Sequence, residues 1–503
     1  VAFRVSQLTE SVPPAELPVF PANDMRALFR RIAGASAIYG LANFGIRALN
    51  FLLLPLYTRY LAPTDYGLIT LAETFAAFLA LVIGLGFDSG IQRMYFHYVD
   101  NSTVLASYLG STIKFALVAA AFAVLLTVTA GQPILHAFAP RFDVPARFLV
   151  WAIITAASAQ FLQYKLIVFQ CQGKPKLYVF LSVASFLLTA SFAVALVVFA
   201  RQGASGMLLG KLAASLVGLV VTLFLFAGAL RAPFHWSFVR ETLAIGLPLV
   251  PHQLMAGGLM VADRFILGYY RDLSEVGLYS IAYTFGGVMS LVTLSLTQAW
   301  APAYYDLARK EEAGRRAMGR ICSELAVVLS AIACFGALIA QDFIARFLDH
   351  RYVAAGRIVP WIIGAYLAHS IFTMFSLAVV QARQTQWLML VSFVAFAFNT
   401  ALNFALIPRW GMYGAAYATI VAYVIEAFVM YFVAQRLYPI NYDLRRVFAS
   451  VGVFVIALVA TQVNWSDGHR VLALIFAAVL CLSLFAALGL KHAVSLLRTR
   501  RAL

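Results

Sequence analysis

One run of residues recurs about 210 positions further along the chain, and both copies lead into long apolar segments. The first copy holds Tyr60, Asp65-Tyr66-Gly67-Leu68, Ala72, Thr74-Phe75, Leu81-Val82 and Tyr95. The second holds Tyr270, Glu275-Val276-Gly277-Leu278, Ala282, Thr284-Phe285, Leu291-Val292 and Tyr305, in one register without a gap. A fainter echo pairs Gly203-x-x-Gly206 with Gly411-x-x-Gly414, and Gln170 with Gln381. A chain that repeats in this way is expected to fold as two related halves. Duplicated sets of membrane spans commonly hold a substrate site between the copies, so transport is the first reading.

The spans follow from composition. Hydrophobic residues make up 63% of the chain and charged residues only 12%, against roughly a quarter charged in soluble domains. About fourteen apolar stretches approach the ~20 residues that cross a bilayer: 33–57, 66–87, 104–130, 147–170, 177–200, 204–230, 242–268, 277–299, 319–340, 358–381, 386–407, 411–435, 447–463 and 471–490. These runs are continuous and do not alternate, which favours helices over a barrel. The expected fold class is an all-α polytopic membrane protein. Val1 to Asp24 holds several prolines and no long apolar run, and reads as a mobile tail, neither signal peptide nor span. Cys171, Cys322, Cys334 and Cys481 lie scattered without metal spacing and read as small buried hydrophobes.

The net charge of +16 encodes topology rather than nucleic-acid binding. With a cytoplasmic N-terminus, inside loops and tails carry about 22 Lys and Arg and outside loops about 10. An even number of spans then places the C-terminus inside too. Six spans separate each element from its copy, so both copies enter the membrane in the same direction, as two parallel six-helix lobes. The expected layout is an N-terminal tail (1–32), a first lobe (33–230), a short basic link (231–241), a second lobe (242–436), and an appendage of two spans with a cytoplasmic tail (437–503). The longest loop, Ala301 to Gly319, reads as a charged extension of helices into the cytoplasm. No loop is long enough for a catalytic domain, and no P-loop, zinc motif or nucleophile elbow is present, so neither an enzyme nor a cofactor is expected.

Five cations fall inside spans: Arg47, Lys114, Lys165, Lys211 and Arg264. Each costs roughly 2.5–3.5 kcal/mol facing lipid at mid-bilayer, so each is expected to face water, a partner or a substrate. The intramembrane acids Glu73, Asp263, Glu324 and Glu426, with Asp88 at a boundary, offer simple pairing as the alternative. Asn43, Arg47 and Asn50 share one helical face, which marks a cavity wall. Lys114 lies near mid-span; Lys165, Lys211 and Arg264 are close enough to helix ends to reach the interface. In the repeat register Gln253 matches Asn43 and Tyr283 matches Glu73, which points to a chamber shared by spans one, two, seven and eight. Pro248 and Pro251 should bend the seventh span ahead of His252, Asp263 and Arg264. Asp263 and Glu426 are the candidates for ion coupling. Tyr279, Tyr283 and Ser290 offer either sugar contacts or packing.

Three stretches carry a resemblance. They are Leu54-Pro55-Leu56-Tyr57-Thr58-Arg59-Tyr60-Leu61 with Gly84-Leu85-Gly86, then Gly246-Leu247-Pro248-Leu249-Val250-Pro251 with Asp263-Arg264 and Val276-Gly277-Leu278-Tyr279-Ser280, and last Asn399-x-x-Leu402-Asn403 through Gly411-x-x-Gly414. In this order they resemble lipid-linked oligosaccharide flippases of the Wzx type, over about residues 33–490. The resemblance implies the superfamily that includes multidrug-extruding (MATE) transporters, a two-lobe V-shaped fold in a bacterial inner membrane, and outward movement of undecaprenyl-pyrophosphate-linked sugars. It makes Arg47 the match for a cavity arginine that meets the pyrophosphate. Membrane lipid, a polysaccharide polymerase and chain-length machinery are the other partners it implies. A multidrug exporter, a lipid II flippase and a non-transport role in polymer assembly remain as alternatives.

Overall fold

The computed structural model describes residues 40, 42, 44–138, 144–308, 311–463 and five positions between 475 and 485. Among these there is no β-strand. In chain order, α1 (44–60) is followed by α2 (Pro63–Gly84), α3 (Phe87–Tyr98), α4 (Ser102–Phe138), α5 (Ala146–Cys171) and α6 (Pro175–Val194). Next come α7 (Gly203–Leu225), α8 (Ala227–Arg231) and α9 (Trp236–Gly246), then α10 (Val250–Tyr270), α11 (Leu273–Gly286) and α12 (Val288–Leu307). The series closes with α13 (Glu311–Phe347), α14 (Val353–Gly356), α15 (Val359–Gln381), α16 (Gln386–Leu437) and α17 (Leu444–Gln462). The N-terminal tail, the start of the first span and most of the span expected at 471–490 lie outside the described residues.

Among the described residues, ten helices are long and apolar enough to cross a membrane. One of them, α16, has 52 residues, about 78 Å at ~1.5 Å per residue and far more than a bilayer needs. It is two spans. At Gly411 the backbone turns to φ 54°, ψ −132°, and the Gly414 Cα comes so close to the Leu406 carbonyl that the chain must double back. The spans expected at 386–407 and 411–435 are therefore these two arms. The second span ends at Gly84, ahead of a turn at Leu85 and Gly86, both with positive φ, and the eighth runs on as one candidate span, Leu273–Thr297, past an irregular turn at Gly287. The bend expected at Pro248 is present as a 3-10 turn, Leu247–Leu249, between α9 and α10.

Helix starts follow local chemistry that the two copies share. Pro63 occupies the first turn of α2, and Asp65 accepts the Ala62 N–H at 2.8 Å. In the second copy Asp272 caps α11 by accepting the Glu275 N–H at 2.9 Å. Apolar side chains also point outward in stripes three or four apart: Val118, Phe122 and Leu125 on α4, and Val421, Val424, Phe428 and Phe432 on α16. Such stripes suit a lipid surface. Inside, Leu54, Tyr57 and Leu61 of the first half pack in one cluster with Tyr279, Ile281 and Tyr352 of the second.

Candidate functional site

The repeat becomes physical where α2 and α11 cross. A Cβ on Gly67 would stand 2.1 Å from the Leu273 oxygen, and one on Gly277 would stand 1.9 Å from the Pro63 oxygen. Gly67 pairs with Gly277 and Pro63 with Leu273 in the repeat register, so the crossing has a local two-fold axis. Only glycine permits so close a backbone approach. The other echo works the same way within each half. Asp65 lies against Gly203 (φ +56°) and Glu275 against Gly411 (φ +54°), where a Glu275 oxygen accepts the Met412 N–H at 3.0 Å. Beside the crossing, Arg351 donates to the Thr58 and Arg59 carbonyls at 3.3 and 3.4 Å, and the Tyr352 hydroxyl donates to the Leu61 carbonyl at 3.0 Å. The Arg351 hydrogen bond also holds the Asp349 carboxyl below its usual range. In the expected topology this is the outer end, and it is shut.

Arg47 sits below this closure. One turn further along α1, the Phe51 ring packs edge-on against Phe285 of α11 at 4.7 Å, so this face of α1 turns toward the second half. Arg47 is exposed and makes no hydrogen bond or ion pair with any described residue, and its field reaches Tyr366 of α15. Asn50 is exposed on the same helix, and Gln253 is half-buried on α10. Asn43 and the His252 side chain lie outside the described residues.

The remaining charges are held elsewhere. Lys114 donates to the Ala232 carbonyl at 2.7 Å, at the end of α8, and so serves the linker. Lys165 donates to the Leu225 carbonyl at 2.9 Å and lies over the Phe226 ring at 4.5 Å. Lys211 and Glu73 form an ion pair at 2.5 Å within the first half. Arg264 is 3.6 Å from Asp263 and 4.5 Å from the Tyr283 ring centre. Asp263 is fully buried and accepts the Tyr279 hydroxyl at 2.6 Å. Glu73 and Tyr283, matched in register, thus each meet a cation of their own half. Tyr279 and Tyr283 are 0% and 5% exposed, buried within the second half.

Because its side chains are about a third exposed, the Glu73–Lys211 pair gives a modest prediction. Lys211→Met should cost about 1–2 kcal/mol, less than the ~3–5 of a fully buried pair, by leaving an unpaired carboxylate. Lys211→Met with Glu73→Gln should recover most of the loss. Melting in detergent measures both, and a double variant no better than the single would refute the pairing.

One cluster was not foreseen. His369 Nδ1 lies 3.0 Å from a Glu426 oxygen, and Ser392 donates to the other oxygen at 3.3 Å. Tyr423 stands beside the imidazole, ring centres 4.9 Å apart, and the rings of Tyr366 and Tyr283 carry the contact on toward Arg264. His369 and Glu426 are 57 positions apart on different spans, so no spacing in the sequence announces the pair. Glu426 is thus held by a histidine and a serine. Among the described residues no group of His, Cys, Asp and Glu has the composition of a metal site.

The sequence profile of a family described as polysaccharide biosynthesis protein matches residues 56–357. A protein of the Lsg locus of Haemophilus influenzae is 24% identical over 286 residues, 55% of this chain and 67% of the relative. A membrane protein of the same organism is 20% identical over 279 residues, 54% and 64% of the two chains. The match thus spans about two thirds of these relatives. Among solved structures, the lipid II flippase MurJ in an inward closed conformation superposes with a TM-score of 0.70 at 13% identity, covering 91% of this chain and all of that one. An inward-facing multidrug resistance MATE family transporter of the MOP superfamily gives 0.63 at 13% identity, covering 82% and 98%. At such identities the likeness is one of fold.

Proposed function

The chain belongs to the polysaccharide biosynthesis protein family, and on that premise we propose that it is a flippase for lipid-linked oligosaccharides. It carries undecaprenyl-pyrophosphate-linked repeat units from the cytoplasmic to the outer leaflet of a bacterial inner membrane, with both of its termini in the cytoplasm. The observation that carries this reading is Arg47, an exposed cation of α1 with no hydrogen bond or ion pair among the described residues, one turn from the contact of Phe51 with Phe285 of the second half. A cation left so in a low-dielectric setting is costly unless an anion visits it. The diphosphate of a lipid-linked sugar fits in charge, while its hydrocarbon tail can remain in the bilayer. Transport would proceed by opening the closed outer end as the inner end closes.

A drug-cation exporter of the same fold would want an acidic chamber. Here Glu73 and Asp263 each have a cationic partner, which favours the anionic cargo. A chromosomal deletion tests the assignment. Lipid-linked repeat units should build up in the inner leaflet, surface polymer should vanish, and the wild-type gene should restore it. Repeat units reaching the outer leaflet normally in the deletion strain would refute the reading.

A further inference from the structure

On α15, His369 is a partly exposed imidazole inside the second half. We propose that His369 is a second, proton-dependent cation of the anion site, so that the diphosphate is gripped from α1 by Arg47 and from α15 by the protonated imidazole. This rests on the diphosphate reading above.

His369 is 35% exposed in its side chain, whereas Glu426 beneath it is 2% exposed. Its Nδ1 is taken by Glu426, while Nε2 has no hydrogen-bond partner among the described residues and remains available to an acceptor. α15 is otherwise the most deeply buried of the long helices, with 72% of its apolar window inside the protein. From His369 onward, the partly exposed Phe372, Thr373 and Ser376 lie on its face of α15, which runs toward the expected cytoplasmic end, while Ile371 is open on another side. A stripe containing His, Thr and Ser suits a watered chamber rather than lipid. Tyr366, whose hydroxyl feels Arg47, precedes His369 by one turn on the same face. Phe285 of α11 meets Phe51, one turn from Arg47, and Tyr283 of α11 meets Tyr366, one turn from His369, so both side chains border the same stretch of α11.

Each partner has a distinct part. Arg47 is charged at any physiological pH. Imidazole is the side chain that ordinarily changes charge between about pH 5 and 8. Glu426, fixed by Ser392, supplies the counter-charge an imidazolium needs away from bulk water. The ionisable groups around the pair are Tyr423 from α16, Tyr366 on α15 itself, Tyr283 from α11, Asp263 and Arg264 from α10, and Arg47 from α1. Asp263 and Arg264 form a pair of opposite charge, 3.6 Å apart.

Binding of farnesyl-diphosphate-linked N-acetylglucosamine to the full chain in nanodiscs tests the proposal, because that diphosphate diester stays fully ionised across the range. Affinity should be about tenfold higher at pH 6 than at pH 8, the size of a typical coupling between two sites. His369→Gln should bind at both pH values with the weak affinity of the parent at pH 8. His369→Lys, a fixed cation, should bind tightly at both. A parent flat from pH 6 to 8, or an undiminished pH response in His369→Gln, would overturn the inference while leaving the flippase reading intact. No binding at any pH would overturn both, along with the diphosphate itself.

Discussion

Placing a methyl group on Gly277 is expected to hold the outer end of the protein ajar. The added Cβ would stand 1.9 Å from the Pro63 oxygen and 3.0 Å from the Gly67 nitrogen, both backbone atoms that cannot rotate away. Overpacking of this kind costs about 1–3 kcal/mol, and here the cost falls only on the closed outer end, a bias of roughly 5- to 150-fold toward opening. Gly67→Ala should act alike, because Leu273 meets it as Pro63 meets Gly277. The readout is a cysteine at Thr58, which is 0% exposed beneath the Arg351 contact, in a background without native cysteines. An impermeant maleimide added outside should label it at least about tenfold faster in either glycine variant, if the bias follows the overpacking cost. Equal labelling in parent and variants would show that the α2–α11 crossing is not a gate.

The second large effect belongs to Arg47. Arg47→Ala should reduce glycan export by more than about thirtyfold, the loss of ~2 kcal/mol or more that follows truncation of a charge contact held away from water. Protein level should hold, since deleting an intramembrane charge removes its desolvation cost. Arg47→Lys should keep part of the activity if a point charge suffices, and little if a two-pronged grip on phosphate is needed. Lys114→Ala should leave export nearly intact, since its ammonium is bound to the Ala232 carbonyl. Full export by Arg47→Ala at normal expression would remove this residue from the site.

Much of this architecture is visible in the sequence, because a membrane restricts what apolar segments can do. Spans of about twenty apolar residues must be helical, and a repeat offset by six spans makes parallel halves. The repeated glycines are legible as a repeat but not as a gate. Only the coordinates show Gly67 and Gly277 meeting each other's helices. Span ends were read less well: α4 and α13 each run 37 residues, well past their apolar stretches, because a helix continues through polar residues once it leaves the bilayer. The charges were least legible of all. Composition could not say that Lys114 and Lys165 bind carbonyls at helix ends, or that His369 meets Glu426. Such partners lie 57 to 118 positions away, and an amide oxygen leaves no mark on the residue type that carries it.

The central claim is that this protein moves a lipid-linked glycan across a bilayer, and reconstitution tests it most directly. The purified chain in vesicles holding a polyprenyl-diphosphate-linked oligosaccharide in both leaflets is exposed to an impermeant glycosidase. Without active protein, cleavage should stop once the outer leaflet is exhausted. With the wild-type chain it should proceed nearly to completion, and with Arg47→Ala it should stop as in empty vesicles. Cleavage that halts at the outer leaflet with folded wild-type protein, whatever the pH or ion gradient applied, would contradict the account.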